Sequence, residues 1–256
     1  NVKRGDIPAG RRRRLNDALE DLNPDLYGAD TGKIGGGGND IPTAGLMSYW
    51  PLDDLEDRTA ADYVGTHDGT LRNGVGSAGG QQDGAASFDG TDDYIDTDWV
   101  GPSGDGTIAC WIKPENPDRS DQVGQRLVTN DDGQLGWALS LADQATVGIR
   151  FFNRDSTDVI VDSNTEITAG VWQHVTGTVD TTTGERRIYI DGSPDATGTA
   201  ASNGLVQNGK SVLFGRAHTG GSPYVGLLDD VRIYDRSLSD TEVKTLYDAT
   251  ETPRQT

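Results

Sequence analysis

The stretch that decides the fold is YVGLLDDVRIYDRSLSDTEVKTLY, residues 224–247. Its side chains alternate between Leu227 and Tyr234, which predicts a β-strand with one largely apolar face. That face is expected to carry Leu227, Asp229, Val231 and Ile233, and the other face Leu228, Asp230, Arg232 and Tyr234. A buried carboxylate is unfavourable unless a cation or hydrogen bonds compensate it, so Asp229 is expected to have a positive partner.

A short helix is predicted directly after this strand. Ser239 precedes Glu242 by three residues, which is the spacing of a capping box at a helix N-terminus. The helix is expected to end near Tyr247. Because a C-terminal strand that closes a sheet pairs with an earlier strand, we expect it to pair with the first strand, residues 45–52 (GLMSYWPL).

The middle of the chain has the pattern of an all-β protein. Short stretches alternate or run apolar, and turn residues separate them. The predicted strands cover residues 107–114, 126–130, 136–142, 146–153, 157–163, 171–180, 186–192 and 211–217, with two shorter ones around Asp89-Gly90. Such a series predicts two antiparallel sheets packed face to face, a jelly-roll sandwich.

The order of several motifs carries a family resemblance. They are SYWPLDD, GTHDGTL, ASFDGTDDYIDT, VWQHVTGTVD, RRIYIDGSP and GLLDDVRIYDRSLSDTEVKTLY. Together they resemble laminin-G-like domains of the concanavalin A-like lectin/glucanase superfamily. The resemblance implies a concanavalin A-like domain over residues 45–250, preceded by an arm of residues 1–44 and followed by a tail of residues 251–256.

The resemblance also implies a structural Ca²⁺ ion. In the glucanase relatives an aspartate of the last strand, a carbonyl near the end of the first strand and a glycine carbonyl of an early hairpin hold the ion. The matching positions are Asp229, Asp53 and Gly90. Ca²⁺ prefers carboxylate and carbonyl oxygens, and here it would fasten the last strand to the first loop. The alternative is that an arginine or water pairs with Asp229.

The charge balance points to a particular environment. The chain of 256 residues has 41 acidic and 22 basic residues, a formal net charge of −19. Such a surface is typical of high salt, where ions screen the repulsion between carboxylates, so we expect a haloarchaeal or haloarchaeal-virus protein. The alternative is an ordinary acidic secreted domain. The charge disfavours binding to nucleic acid or an anionic membrane, and no apolar run is long enough for a membrane span.

Residues 1–44 form a segment of a different kind. A basic run is followed by leucines that could form the apolar stripe of one short helix, and residues 28–43 are a Gly-rich tether. The basic run consists of Arg11, Arg12, Arg13 and Arg14, and the leucines are Leu15, Leu19 and Leu22. We expect this arm to dock on other protein subunits of a homo-oligomeric assembly. DNA contact is the weaker alternative because Asp17, Glu20 and Asp21 follow the arginines.

Cellular location is less constrained by the sequence. The single cysteine, Cys110, cannot form an intrachain disulfide and is expected to be a buried core residue. No signal-peptide pattern is visible and the first residue is Asn1, so the sequence leaves open whether a segment was removed. The expected location is a virion surface or an extracellular, high-salt medium.

Catalytic motifs are missing from the sequence. Retaining glucanases of this superfamily carry two carboxylates about 5 Å apart in an E-x-D-x-x-E type motif, and no such spacing occurs here. Neither H-E-x-x-H nor G-x-S-x-G is present. His67, His174 and His218 form neither a metal cluster nor a nucleophile elbow, and His67 and His174 are expected to be structural. The sequence therefore predicts that the protein is not an enzyme.

The functional expectation is a non-catalytic structural and adhesion protein. It would be a capsid turret, decoration or tail subunit of a halophilic virus, with a lectin-like head exposed to host-surface glycans. The candidate ligand-binding residues are Asp131, Asp132, Trp99 and Tyr224. The alternatives are a secreted or cell-surface carbohydrate-binding module of a haloarchaeon, a stabilising decoration subunit without a sugar ligand, and an accessory module of a secreted enzyme.

Overall fold

The computed structural model describes residues 41–118, 124–142, 148–154, 158–199 and 204–251. The predictions for Arg11 to Arg14 and for the leucines at positions 15, 19 and 22 lie outside these residues. Of the arm, the structure describes residues 41–44, and Ile41 is buried against the sandwich.

The described strands form two antiparallel sheets of eight strands each, as the sequence predicted. Sheet 1 contains Leu46–Trp50 (β1), Gly76–Gly79 (β4), Gly84–Asp89 (β5), Gly106–Pro114 (β7), Gln173–Asp180 (β12), Glu185–Ile190 (β13), Ser193–Thr199 (β14) and Val225–Tyr234 (β16). Sheet 2 contains Thr59–Ala60 (β2), Gly69–Arg72 (β3), Tyr94–Asp96 (β6), Gln125–Thr129 (β8), Gly136–Leu141 (β9), Ile149–Arg154 (β10), Val159–Asp162 (β11) and Leu213–Phe214 (β15). A 3-10 turn covers Glu56–Arg58.

Strand β16 lies at the centre of sheet 1. One edge pairs with β7, and the other pairs first with β5 and then with β1. In the register with β1, Trp50 lies opposite Val231. The predicted pairing of the last strand with the first is therefore confirmed, and it joins the two ends of the domain in one sheet.

The main core fills the space between the sheets. Sheet 1 contributes Ile108, Cys110 and Ile112 from β7, and sheet 2 contributes Trp137 and Phe151 among others. Cys110 is free and fully buried, as predicted, and burial raises the pKa of its thiol far above the ordinary value.

The helix Asp240–Glu251 (α1) covers the outer face of sheet 1. Its N-terminus has the predicted capping box, because the Ser239 amide donates to Glu242 Oε2 at 2.9 Å and the Glu242 amide donates to Ser239 Oγ at 3.4 Å. Val243 and Leu246 pack on Tyr49 and Tyr234 of the sheet. The helix runs four residues beyond the predicted end at Tyr247.

The extra turn of α1 has side-chain partners from the sheet and from the β4–β5 loop. Trp111 Nε1 donates to Thr250 Oγ1 at 3.0 Å, and Gln82 Nε2 donates to the Thr250 carbonyl at 2.5 Å. The Gln81 side chain donates to the Glu251 carbonyl. These contacts satisfy groups that a helix C-terminus leaves without intrahelical partners, so tertiary structure extends the helix.

Candidate metal centre and ligand surfaces

A β-bulge in β16 corrects the predicted alternation of this strand. The register with β7 shifts between Asp229 and Arg232, and Asp230 has a φ of 53°. Leu228, Val231 and Ile233 therefore face the main core, whereas the sequence pattern had grouped Leu227 with Val231 and Ile233. An inserted residue moves every side chain after it to the opposite face of the sheet, and the alternation of the sequence does not reveal the insertion.

The bulge buries two adjacent carboxylates, Asp229 and Asp230, both without solvent exposure. Asp230 has close partners: Arg232 Nη1 lies 3.2 Å from its Oδ2, and the Tyr49 hydroxyl donates to its Oδ1. The Arg232 guanidinium also lies 4.1 Å from the centre of the Tyr49 ring. The cation expected beside the last strand is therefore present, but it pairs with Asp230 and not with Asp229.

Asp229 points to the loop between β4 and β5. Its Oδ2 accepts the amide of Gln82 at 2.9 Å, while its Oδ1 has no hydrogen-bond partner among the described residues. Burial raises the pKa of the Asp229 carboxyl well above its usual value, and repulsion from Asp230 and Asp53 adds to the effect. An orphaned, fully buried carboxylate oxygen is a costly feature that a bound cation would compensate.

Asp53 reaches the same loop from the end of the first strand. Its Oδ1 accepts the amide of Gly84 at 3.0 Å. A Cβ added at Gly84 would lie 2.5 Å from the Asp53 carbonyl oxygen, and one added at Gly80 would lie 2.6 Å from Asp229 Oδ2. Asp229 and Asp53 are therefore brought together around two glycines that leave no room for a side chain.

Gly90 does not join this group, which corrects the third predicted ligand. It lies in the β5–β6 turn with a φ of 77°, at the other end of β5 from Gly84. Strand geometry separates the two glycines by roughly 20 Å. Gly84 occupies the place that the resemblance assigned to a hairpin glycine, because the hairpin that reaches Asp229 is β4–β5.

The residues present fit a hard dication. The Asp229 carboxylate, the Asp53 main chain and the backbone around Gly84 supply carboxylate and carbonyl oxygens, which are the ligands Ca²⁺ prefers. We refer to Asp229, Asp53 and Gly84 as the candidate metal centre.

A second acidic group in the β5–β6 turn has structural contacts. Asp89, Asp92 and Asp93 bring carboxylate oxygens within 4.8 Å of one another. Asp93 is buried, and its two oxygens accept the amides of Gly74 at 2.6 Å and Asp89 at 3.0 Å. These bonds explain its burial as part of the turn.

Two of the four predicted ligand-binding residues are buried, so they do not form an exposed sugar site. Tyr224 is fully buried in the main core, and its hydroxyl donates to the Leu227 carbonyl at 2.9 Å. Asp131 is 1% exposed and lies 3.4 Å from Arg126 and 3.5 Å from Arg154. The sequence placed both in loops but did not show that the loops fold inward.

The other two predicted ligand residues, Asp132 and Trp99, are partly exposed but already engaged. Asp132 Oδ1 accepts the amides of Gln134 and Leu135, and these bonds lower the pKa of its carboxyl. The Trp99 ring stacks on His67 with centroids 4.6 Å apart. Asp132 therefore stabilises a turn, and the Trp99 platform has one face covered.

A polar cleft that the sequence did not reveal lies beside the N-terminus of α1. It has a volume of about 480 Å³. Its polar lining includes Asp180, Glu185, Arg187, Ser237, Asp240 and Thr241. These residues come from β12, β13, the β16–α1 connection and the first turn of α1, so no local motif indicates the cleft. We call it the α1 cleft.

Inside the α1 cleft the charged groups are fixed by one another. Arg187 Nη1 lies 2.6 Å from Asp240 Oδ1, and its Nη2 lies 2.9 Å from Glu185. The Tyr189 hydroxyl donates to Asp240 Oδ1 at 2.8 Å. Burial raises the pKa of Tyr189 to about 12, and the bond to Asp240 adds to this, so the hydroxyl is a neutral donor at physiological pH.

A second feature without a sequence motif is a cluster of arginines on the outer face of sheet 2. Arg126 and Arg154 lie over the ring of Phe152, at 4.8 Å and 5.1 Å from its centre. Arg150 lies on the same face of β10. Arg150, Phe152 and Arg154 alternate in the sequence, which is the one signal that could have indicated a shared face.

Ser48, His67 and Asp62 lie together but do not have the geometry of a catalytic triad. Ser48 Oγ lies 3.0 Å from His67 Nδ1, and Asp62 Oδ2 lies 3.4 Å from the same nitrogen. A triad uses opposite ring nitrogens for the nucleophile and the acid. Ser48 is also fully buried.

Several solved structures share the fold of this chain. Domain 4 of an extracellular arabinanase from Geobacillus stearothermophilus, solved with arabinotriose, matches with a TM-score of 0.65 and 22% identity, covering 80% of this chain and 98% of that one. The binding domain of Paraclostridial mosquitocidal protein 1 matches with a TM-score of 0.63 and 21% identity, over 79% of this chain and 52% of that one. A Trypanosoma rangeli sialidase matches with a TM-score of 0.60 and 15% identity, over 93% of this chain but 39% of that one.

Two further observations concern curated relatives and membrane-spanning helices. No curated protein matches the chain significantly. Within the described residues, none of the helices has the length and apolar character needed to cross a membrane.

The family is identified by the sequence itself. The family model for laminin-G-type domains of the concanavalin A-like lectin/glucanases superfamily matches residues 89–244, more than half of the chain. The chain belongs to the concanavalin A-like lectin/glucanases superfamily.

Proposed function

We propose that this protein is a non-catalytic adhesion and structural protein that binds a glycan in the α1 cleft. The observation that carries the proposal is the cleft of about 480 Å³, whose volume falls in the range of small-molecule sites. The carboxylates, hydroxyls and Arg187 along it offer both donors and acceptors to sugar hydroxyl groups. The arabinanase domain, which matches this fold over 98% of its length, was solved with a trisaccharide, which supports the same class of ligand.

The cleft is suited to binding because its polar groups are already held in place. Asp240 receives bonds from Arg187 and Tyr189, so its carboxylate does not have to be ordered when a ligand arrives. Preorganisation of this kind reduces the entropic cost of association. Asp240 and Arg187 are therefore the residues we assign to glycan contact.

We further propose that Ca²⁺ occupies the candidate metal centre and has a structural role. Asp229, Asp53 and Gly84 would hold it, and the ion would supply the positive charge that the orphaned Asp229 oxygen lacks. The metal centre contacts the C-terminal end of α1 through Gln82, whereas the α1 cleft lies at its N-terminal end. A helix of 12 residues separates its ends by about 18 Å. Calcium is thus expected to stabilise the fold without contacting the glycan.

We also propose a role in an assembly, which the N-terminal arm and the net charge support. Residues 1–44 would anchor the head to other subunits of a virion turret, decoration or tail in a high-salt environment. Comparing the oligomeric state of the full chain with that of a chain lacking residues 1–44, by light scattering in high salt, tests this step. A monomer in both cases contradicts the anchoring role.

The glycan proposal is tested by calorimetric titration with arabinotriose and by a glycan array in high salt. Asp240→Asn removes one carboxylate from the cleft and is expected to weaken binding about tenfold, the effect of one charge-assisted hydrogen bond. Asp98→Asn, in an exposed loop after β6, is the matched control and should bind as the wild type does. Absence of any glycan ligand for the folded, calcium-loaded protein would leave a stabilising subunit without a sugar ligand as the function.

A further inference from the structure

The outer face of β8–β11 concentrates positive charge in a chain whose net charge is −19. Antiparallel register places Arg150 opposite Ser140 and Asp162, and Phe152 opposite Ala138 and Ile160. Arg126 of β8 lies opposite Ser140 on its other side. The arginines therefore flank a strip of small side chains on β9.

The small side chains leave space between the arginines. A cavity of about 30 Å³, lined by the three arginines with Gly124, Phe152 and Ile160, opens at this point. One water molecule needs about 10–15 Å³ of such space, so the cavity has room for one small polar group such as a carboxylate. Ile160 is 52% exposed beside it, so the rim is partly apolar.

The charge of Arg126 is only loosely compensated. Its side chain is 7% exposed, and its Nε has no hydrogen-bond partner among the described residues. Arg126 and Arg154 share one carboxylate, that of Asp131, at 3.4 Å and 3.5 Å. Good charge-assisted bonds are shorter, at roughly 2.7–2.9 Å.

Among the residues that the structure describes, the other carboxylates near the cluster do not fill this deficit. Arg150 holds Asp162 in two bonds of 2.6 Å and 2.9 Å, so that pair is self-contained. Asp158 lies 3.9 Å from Arg154, which is beyond hydrogen-bond distance, and is 54% exposed. Burial, together with repulsion from Arg154 and Arg150, lowers the pKa of Arg126, although Asp131 opposes this.

We propose that the cavity between Arg126, Arg150 and Arg154 binds the carboxylate of an acidic saccharide, a uronic acid unit. Guanidinium groups match carboxylates through paired N–H donors, and a bound carboxylate would satisfy the Arg126 Nε, which has no hydrogen-bond partner within the described part of the chain. The exposed Ile160 beside the cavity gives the apolar side of a sugar ring a contact. The carboxylate part of the inference stands on the arginines, and the saccharide part rests on the proposed glycan-binding function.

The test is calorimetric titration of the full chain, loaded with calcium, with trigalacturonate. The same trimer with its carboxyl groups methyl-esterified, and neutral arabinotriose, serve as the other two probes. We expect trigalacturonate to bind, its affinity to fall as salt is raised, and the methyl ester to bind at least about tenfold more weakly.

Variants locate the site. Arg154→Gln and Arg150→Gln alter side chains that are 29% and 22% exposed, so both proteins are expected to fold, and a thermal melt verifies this. Arg154→Gln should weaken trigalacturonate binding about tenfold, the effect of one charge-assisted bond. Arg150 is already paired with Asp162 and contributes only its charge beside the cavity, so Arg150→Gln should weaken binding by about two- to fivefold. Arg72→Gln, an exposed arginine of β3 in the same sheet, removes the same charge and should leave the affinity within about twofold.

The outcomes separate this inference from the proposed function. Equal binding of trigalacturonate and its methyl ester, or unchanged affinity in both Arg154→Gln and Arg150→Gln, overturns the inference. Binding of arabinotriose without binding of trigalacturonate overturns it too but supports the proposed function. If neither saccharide binds, both are wrong.

Discussion

The substitution Asp229→Asn should stabilise the protein in the absence of calcium and destabilise it in the presence of calcium. Without the ion, Asp229 is a fully buried carboxylate beside Asp230 and Asp53, with one oxygen unpartnered among the described residues. Removing its charge should therefore raise the free energy of unfolding, by about 1–3 kcal/mol for one uncompensated buried group. With calcium, the same change removes a ligand of the ion.

The magnitude in calcium follows from binding to the native state alone. At a free concentration of 100 times the Kd, the ion stabilises the wild type by about 2.7 kcal/mol. For a domain of this size the Tm then rises by roughly 5–10 °C. Asp229→Asn should lose most of this rise, so the wild type is the more stable protein in calcium and the less stable one in a chelator.

Thermal melts followed by circular dichroism, with calcium and with EGTA, measure both effects. Asp93→Asn is the matched control, because Asp93 is equally buried but has both oxygens hydrogen-bonded. It should lower the Tm by a similar amount in both conditions. A wild-type Tm that does not respond to calcium, or an Asp229→Asn variant destabilised to the same extent with and without it, would refute the assignment of this site.

Three further predictions concern pH, a glycine and the helix cap. Burial, with a smaller contribution from Arg232, lowers the pKa of His174 to about 3 despite the opposing charge of Asp230. The neutral His174 therefore contributes its full stabilisation above pH 6.5, and this stabilisation is lost as the pH falls towards 3. Urea denaturation should show roughly 2 kcal/mol less stability at pH 5 than at pH 7 from this residue alone, and His174→Gln should flatten that slope. Gly84→Ala would place a Cβ 2.5 Å from the Asp53 carbonyl oxygen, so we expect a lower Tm and loss of the calcium response, while Gly79→Ala, which meets nothing within 4 Å, should keep that response. Ser239→Ala removes the capping hydroxyl of α1 and should cost about 1 kcal/mol in urea denaturation, and an unchanged midpoint would contradict the cap.

Local pattern was enough for the strands that have an apolar face. β7, β9 and β12 were predicted nearly to their ends, because each alternates or runs apolar over several residues. β4 and β14 were missed, since their sequences GSAG and SPDATGT contain almost no apolar side chains. Their pairing with β5 and β13 makes them strands, and that is a tertiary effect.

The candidate metal centre also combines residues proposed from the sequence with one that only the fold brings in. Asp229 and Asp53 were proposed as ligands from the resemblance, and the structure brings them together at the β4–β5 loop. Gly90 lies in another hairpin, and only the fold shows that the β4–β5 loop reaches Asp229. The bulge at Asp230 was equally hidden, because one inserted residue leaves the hydrophobic pattern on either side intact.

The sequence by itself determined the all-β class, the pairing of first and last strands, the capped helix and the family, because periodicity, caps and ordered motifs are local properties. Only the tertiary structure decided which charges are buried and which line a cleft or a cavity. It buried Asp131 and Tyr224, left an oxygen of Asp229 without a partner among the described residues, and assembled the α1 cleft and the arginine cluster. These sites draw on strands far apart in the chain, and sequence spacing contains no information about distances between such strands.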